Sequence, residues 1–80
     1  MINMSTNIVG SRMRIARAMH IPPMKQQELL AKLQTEGIDI SQSTLSKMEN
    51  GDRYVKDTEL KAIAKILNIS VAWLMNEVEN

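Results

Sequence analysis

Gln42, Ser43, Ser46, Lys47 and Asn50 fall within one short stretch, at steps of one and three residues. On a helix that spacing gathers them on a single face. Amides, hydroxyls and one ammonium group make that face rich in donors and acceptors, with no large apolar side chain. Such groups can hydrogen-bond base edges or phosphates in the major groove of DNA. The same face also reads as an ordinary solvated surface, so the rest of the chain has to decide between the two.

Other chemistries find little to work with. The only histidine, His20, stands beside Pro22 and Pro23 with no cysteine to partner it. Nucleophile, base and orienting group cannot be assembled around it, so no catalytic residue is expected. The glycines are isolated, which leaves no phosphate-cradling loop. Glu36, Asp39 and Asp52 lack the ligand spacing of a calcium loop. No metal ligand and no cofactor are expected. The 7 methionines read as core filler in a chain with one Trp, one Tyr and no Phe.

The elements that must position the polar face are helical. Ser41 can cap a helix over 41–50, and Gly51 can end it in the left-handed conformation. Leu45 and Met48 share its apolar side, joined by Ile40. A first helix is predicted over 7–20, capped by Thr6 or Asn7. Ile8, Arg12, Ile15 and Met19 line one side of it, with Val9, Met13 and Ala16 beside them. Pro22-Pro23 closes it. A second helix covers 24–35 with Leu29, Leu30 and Leu33 inward, and Gly37 after it. A fourth covers 58–67, capped by Asp57, with Leu60, Ile63, Ala64 and Leu67 inward and Lys61 and Lys65 outward. Asn68-Ile69 breaks it. Ser70 caps a fifth over 71–76, and the residues beyond are expected to fray. No strand signal is found. The predicted class is all-α, a compact five-helix bundle forming one domain over 1–80. Helices two and three, joined by a short glycine-containing connection, form a helix-turn-helix.

Eighty residues make one small domain with a modest core. The chain has no cysteine, which fits a reducing cytoplasm. No apolar run approaches a membrane span, and 1–6 lack the pattern of a secretory signal. Net charge is only +1. Its distribution says more: 1–56 hold eight Lys/Arg and five Asp/Glu (net +3), and 57–80 hold two and four (net −2). The basic excess lies in the part that contains the polar helix.

From about Asn7 to Met75 the chain resembles the phage-repressor-like helix-turn-helix regulators, the Cro/CI or xenobiotic response element family. The residues that carry the resemblance are Gly10-Ser11-Arg12 with Arg14 and Arg17, Gln26 with Glu28-Leu29, the whole run 40–51, and Leu60…Ala64…Leu67 followed by 68–74. The resemblance implies a lambda-repressor-like DNA-binding domain. Gln42, Ser43 and Lys47 match positions that reach base edges, with Ser46 alongside. Gln26 matches a glutamine that contacts phosphate and braces the recognition helix, and Asn50 matches a backbone-contacting position. Thr44 and Arg53 join them as expected phosphate contacts. Arg17 and Glu49 match a partly buried ion pair between helices one and three. The chain departs from the family pattern at Pro22-Pro23, at the longer turn 34–39, and at Leu30, where a small alanine is common.

The implied function is sequence-specific binding of double-stranded DNA in the cytoplasm by a transcriptional regulator, a repressor. The alternative is an antitoxin that binds a toxin protein as well as its own promoter. A protein antagonist is a further candidate partner, and an adaptor that binds proteins without DNA is the third reading. A homodimer is expected, weak without DNA. Its interface candidates are Trp73, Met75 and Val78, with the Tyr54-Val55 loop as an auxiliary surface, although Trp73 reads equally well as core.

Overall fold

The computed structural model describes residues 8–77. Five helices follow one another: α1 (Gly10–Met19), α2 (Gln26–Thr35), α3 (Gln42–Asn50), α4 (Asp57–Leu67) and α5 (Val71–Leu74). There is no strand among the described residues. None of their helices is long and apolar enough to cross a membrane.

Local chemistry sets the helix ends. Ser41 Oγ accepts from the Thr44 N–H at 3.1 Å, and Ser70 Oγ accepts from the Trp73 N–H at 3.0 Å. These satisfy donors that the first turn of a helix leaves open. Glu28 and Glu59, each the third residue of its helix, reach back to the N–H of Lys25 and Lys56 at 3.2 and 2.8 Å. Gly37, Gly51 and Asn68 take left-handed conformations after α2, α3 and α4. Each is followed by an N–H that bonds back across the last turn: Ile38 to the Leu33 carbonyl, Asp52 to Lys47, and Ile69 to Ala64. That pairing closes the C-terminal carbonyls in Schellman fashion.

Four expected boundaries shift. α1 begins at Gly10, after Val9, which offers no side-chain cap; Thr6 and Asn7 lie outside the described residues. α2 begins at Gln26 rather than 24. Met24 is held outside the helix because its N–H donates to the Arg17 carbonyl at 2.9 Å and its own carbonyl accepts from Arg17 Nη1 at 3.0 Å. Asp57 is the first residue of α4 and not its cap, a place taken by Lys56. α5 stops at Leu74, since Asn76 turns left-handed and the Glu77 N–H reaches back to the Ala72 carbonyl.

Met13, Leu29, Leu33, Leu45, Met48, Ile63 and Leu74 are fully buried. One core therefore draws on all five helices. α2 contributes Leu29 and Leu33 fully and Leu30 partly. α1 contributes Met13 and Ala16, with Val9 at its cap, whereas Ile15 and Met19, and Ile8 before the helix, are exposed. The face of α1 bearing Ile15 and Met19 thus points to solvent.

Candidate nucleic-acid interface

α3 has two edges with different fates. Leu45 and Met48 hold it to the core. Its inner polar edge is tied to α1 and α2 through Glu49, whose carboxylate is buried. Arg17 donates from Nε and Nη2 to the two carboxylate oxygens, at 2.7 Å each. Gln26 Nε2 donates to the same carboxylate at 3.1 Å, and Gln26 Oε1 accepts from the Ser46 hydroxyl at 3.0 Å. Arg14 Nε lies 3.7 Å from Glu49 Oε1, and its Nη2 donates to the Asn50 side-chain oxygen. These bonds satisfy a buried anion that would otherwise be costly.

Backbone contact sets the distance between α1 and α3. Gly10 packs directly on the end of α3: a Cβ placed on it would stand 2.6 Å from the carbonyl oxygens of both Met48 and Glu49. Only a residue without a side chain allows the two backbones this close.

The outer edge is open. Gln42, Ser43 and Lys47 are exposed, and none of their side chains makes a hydrogen bond or ion pair among the described residues. Asn50 is exposed too. Its oxygen is engaged by Arg14, which orients its NH2 group as the remaining donor. Gln26 likewise keeps one N–H beyond those bonds. Thr44 is half-buried, and its hydroxyl accepts from Ser41 Oγ at 3.1 Å.

Two of the expected contact residues are placed differently. Ser46 is half-buried and turned to Gln26, so it braces α3 more than it faces outward. Arg53 forms a two-pronged pair with Glu59, at 3.0 and 3.1 Å, and also donates to the Tyr54 carbonyl. Its guanidinium thus secures the start of α4. Burial pushes the Glu59 carboxyl up, but the Arg53 hydrogen bonds and the Lys56 N–H outweigh it and hold the group below the ordinary range. The Arg53 pKa is raised by the same hydrogen bonds. Trp73 is half-buried under Arg12, whose guanidinium carbon sits 4.6 Å from the ring centroid and whose Nη1 donates to the Trp73 carbonyl. Met75 is half-buried against the core, and Val78 lies outside the described residues. Arg14 was not among the expected contacts; its place one turn before Arg17 on α1 was the available signal.

The connection between α2 and α3 is long but anchored. Ile38 and Ile40 pack against the core. Gln34 Nε2 donates to the Ile40 carbonyl at 3.3 Å, and Lys65 reaches Glu36 at 3.1 Å. α2 and α3 therefore stand as a pair, with α3 presenting its open edge.

The sequence profile of the helix-turn-helix family matches residues 24–74, which span both of these helices and continue to α5. This chain belongs to the helix-turn-helix family of the Cro/CI type. No curated protein and no solved structure matches it. As a member of the family, the helix-turn-helix protein is a DNA-binding regulator of transcription. The match starts after α1, yet α1 supplies Arg14, Arg17 and Gly10 to the setting of α3.

Proposed function

We propose that this protein represses transcription by binding a specific double-stranded site in the cytoplasm, with α3 in the major groove. One observation carries the reading: the inner polar groups of α3 are engaged, while Gln42, Ser43 and Lys47 stand open along its outer edge. A rigid helix with three unpaired side chains in a row suits direct readout of base edges. Gln26, Thr44 and Asn50 contact phosphates that fix the register, and Arg14 adds a cation beside Asn50. Ser46 serves mainly as the brace of Gln26. One α3 reads only a few base pairs, so two copies bind half-sites related by two-fold symmetry, one helical turn apart.

Selection of bound duplexes from a random pool tests this. The expected result is a short motif repeated as an inverted pair. A pool that shows no enrichment, or a single unrepeated half-site, counts against the reading. The antitoxin alternative has one observation on its side, the exposed apolar residues of α1, which could suit a protein partner. Co-purification of a small toxic protein would favour it.

A further inference from the structure

The side chains left open on α3 differ in what they can bond. Gln42 carries both donors and an acceptor, Lys47 carries donors only, and the Ser43 hydroxyl can do either. All three are exposed, and none of these side chains is engaged by another described residue. The groups that would widen this repertoire are used elsewhere. Glu49 is the one carboxylate of α3, and it is buried against Arg17 and Gln26. The Ser46 hydroxyl is given to Gln26, and the Asn50 oxygen accepts from Arg14. Leu45 and Met48, the large apolar side chains of the helix, are buried in the core. The open edge therefore has no carboxylate to accept from the cytosine amino group and no large apolar side chain to meet the thymine methyl.

In the major groove adenine presents an acceptor at N7 beside a donor at N6, whereas guanine presents two acceptors, N7 and O6. A glutamine amide matches the first pattern and an ammonium group the second. We propose that α3 reads purines, Gln42 an adenine and Lys47 a guanine, about two base-pair steps apart in each half-site. The inference rests on the DNA-binding reading above and adds the bases that it selects. The spacing follows from helix geometry. From Gln42 to Lys47 an α-helix rises about 7.5 Å, and base pairs stack about every 3.4 Å. Ser43 both donates and accepts, so it adds no preference of its own. The division of labour along α3 assigns Lys47 to a base. The candidate phosphate contacts Gln26, Asn50 and Arg14 gather around Glu49 on the inner edge. Lys47 lies one turn beyond Ser43 on the open edge, and no described carboxylate pairs with it. Its ammonium group is free for the two acceptors of guanine.

Selection from a random duplex pool, run with wild type and with variants, tests this. Both side chains are exposed and unengaged, so Gln42→Ala and Lys47→Gln should melt like wild type. Wild type should enrich half-sites with one fixed A·T pair and one fixed G·C pair at that spacing. Lys47→Gln exchanges a donor-only group for an amide, so it should replace the G·C pair with A·T and leave the other position as it was. Gln42→Ala should lose the A·T preference alone. Each wrong pair should weaken wild-type binding about 5- to 150-fold. Replacing the selected guanine with 7-deazaguanine, which lacks the N7 acceptor, should weaken wild type and make no difference to Lys47→Ala. An enriched motif without a fixed guanine overturns the inference and leaves the regulator reading standing. So does a Lys47→Ala loss that falls equally on selected and random duplex, the mark of a phosphate contact. A wild type that enriches no duplex at all refutes both.

Discussion

Arg17 on α1 holds both carboxylate oxygens of Glu49 on α3, at 2.7 Å each, and Glu49 is all but sealed from solvent. The pair joins the helix that carries the candidate readout groups to a helix outside the matched segment. Removing Arg17 leaves the buried Glu49 carboxylate only the Gln26 hydrogen bond and Arg14 at 3.7 Å, and breaking a buried pair by removing one partner costs about 3–5 kcal/mol. Replacing both with apolar groups costs much less. Denaturant unfolding of Arg17→Met, Glu49→Leu and the double variant should therefore show strong coupling. Additive losses would mean that the pair is incidental.

The outer and inner edges of α3 should separate in binding experiments. Gln42→Ala and Lys47→Ala remove candidate base contacts, each expected to cost about 1–3 kcal/mol at the selected site with little loss on random duplex. Arg14→Ala and Gln26→Ala remove candidate phosphate contacts. They should weaken both duplexes alike, and Arg14→Ala should lower the salt slope by about one. If all four variants keep the wild-type ratio of selected to random affinity, the readout residues are misplaced.

The helix α3 was legible because its signals are local. Ser41, Gly51 and the Leu45–Met48 spacing define α3 within a dozen residues, and the structure has it at Gln42–Asn50. The inward face of α1 was not. Ile8, Arg12, Ile15 and Met19 form a helical stripe, and so do Val9, Met13 and Ala16, so periodicity cannot choose between them. The choice is made by the close approach of Gly10 to α3, a contact between residues far apart in the chain. Ser46 shows the same limit, since Gln26, its partner, lies 20 residues away. The partner of Arg53 was closer to hand. Glu59 stands at the third position of α4, where a glutamate commonly reaches back to the start of a helix.

Glu59 should make the fold acid-sensitive. Its carboxyl titrates below its ordinary value in the folded protein, so its contribution is complete above the unfolded pKa of about 4.3. That contribution fades as pH falls from there through the lowered folded value. Arg53→Gln removes the paired cation and leaves burial, which acts upward, against the N–H and the charge of Lys56. The folded pKa then moves up, and this part of the acid-induced loss shrinks. Unfolding free energies measured from neutral pH to below pH about 4 should therefore fall less steeply in Arg53→Gln than in wild type. Parallel curves would show that the pair does not set the acid response.

Gly10 offers the sharpest test of how α1 positions α3. In Gly10→Ala the new methyl group would stand 2.6 Å from two carbonyl oxygens of α3. Neither is a flexible side-chain end, so one of the helices must move. Alanine would otherwise favour a helix over glycine by about 1 kcal/mol, so propensity alone predicts stabilisation. Overpacking of this kind costs about 1–3 kcal/mol. The contact should win, and Gly10→Ala should unfold at lower denaturant than wild type. Because the shift is applied at Met48 and Glu49, it also tilts the edge that bears Lys47 and Asn50. Affinity for the selected duplex should then drop by more than affinity for random duplex. Ser11→Ala, the neighbouring change on the exposed side of α1, should leave both properties nearly untouched. A Gly10→Ala protein as stable and as selective as wild type would show that α3 does not depend on this contact.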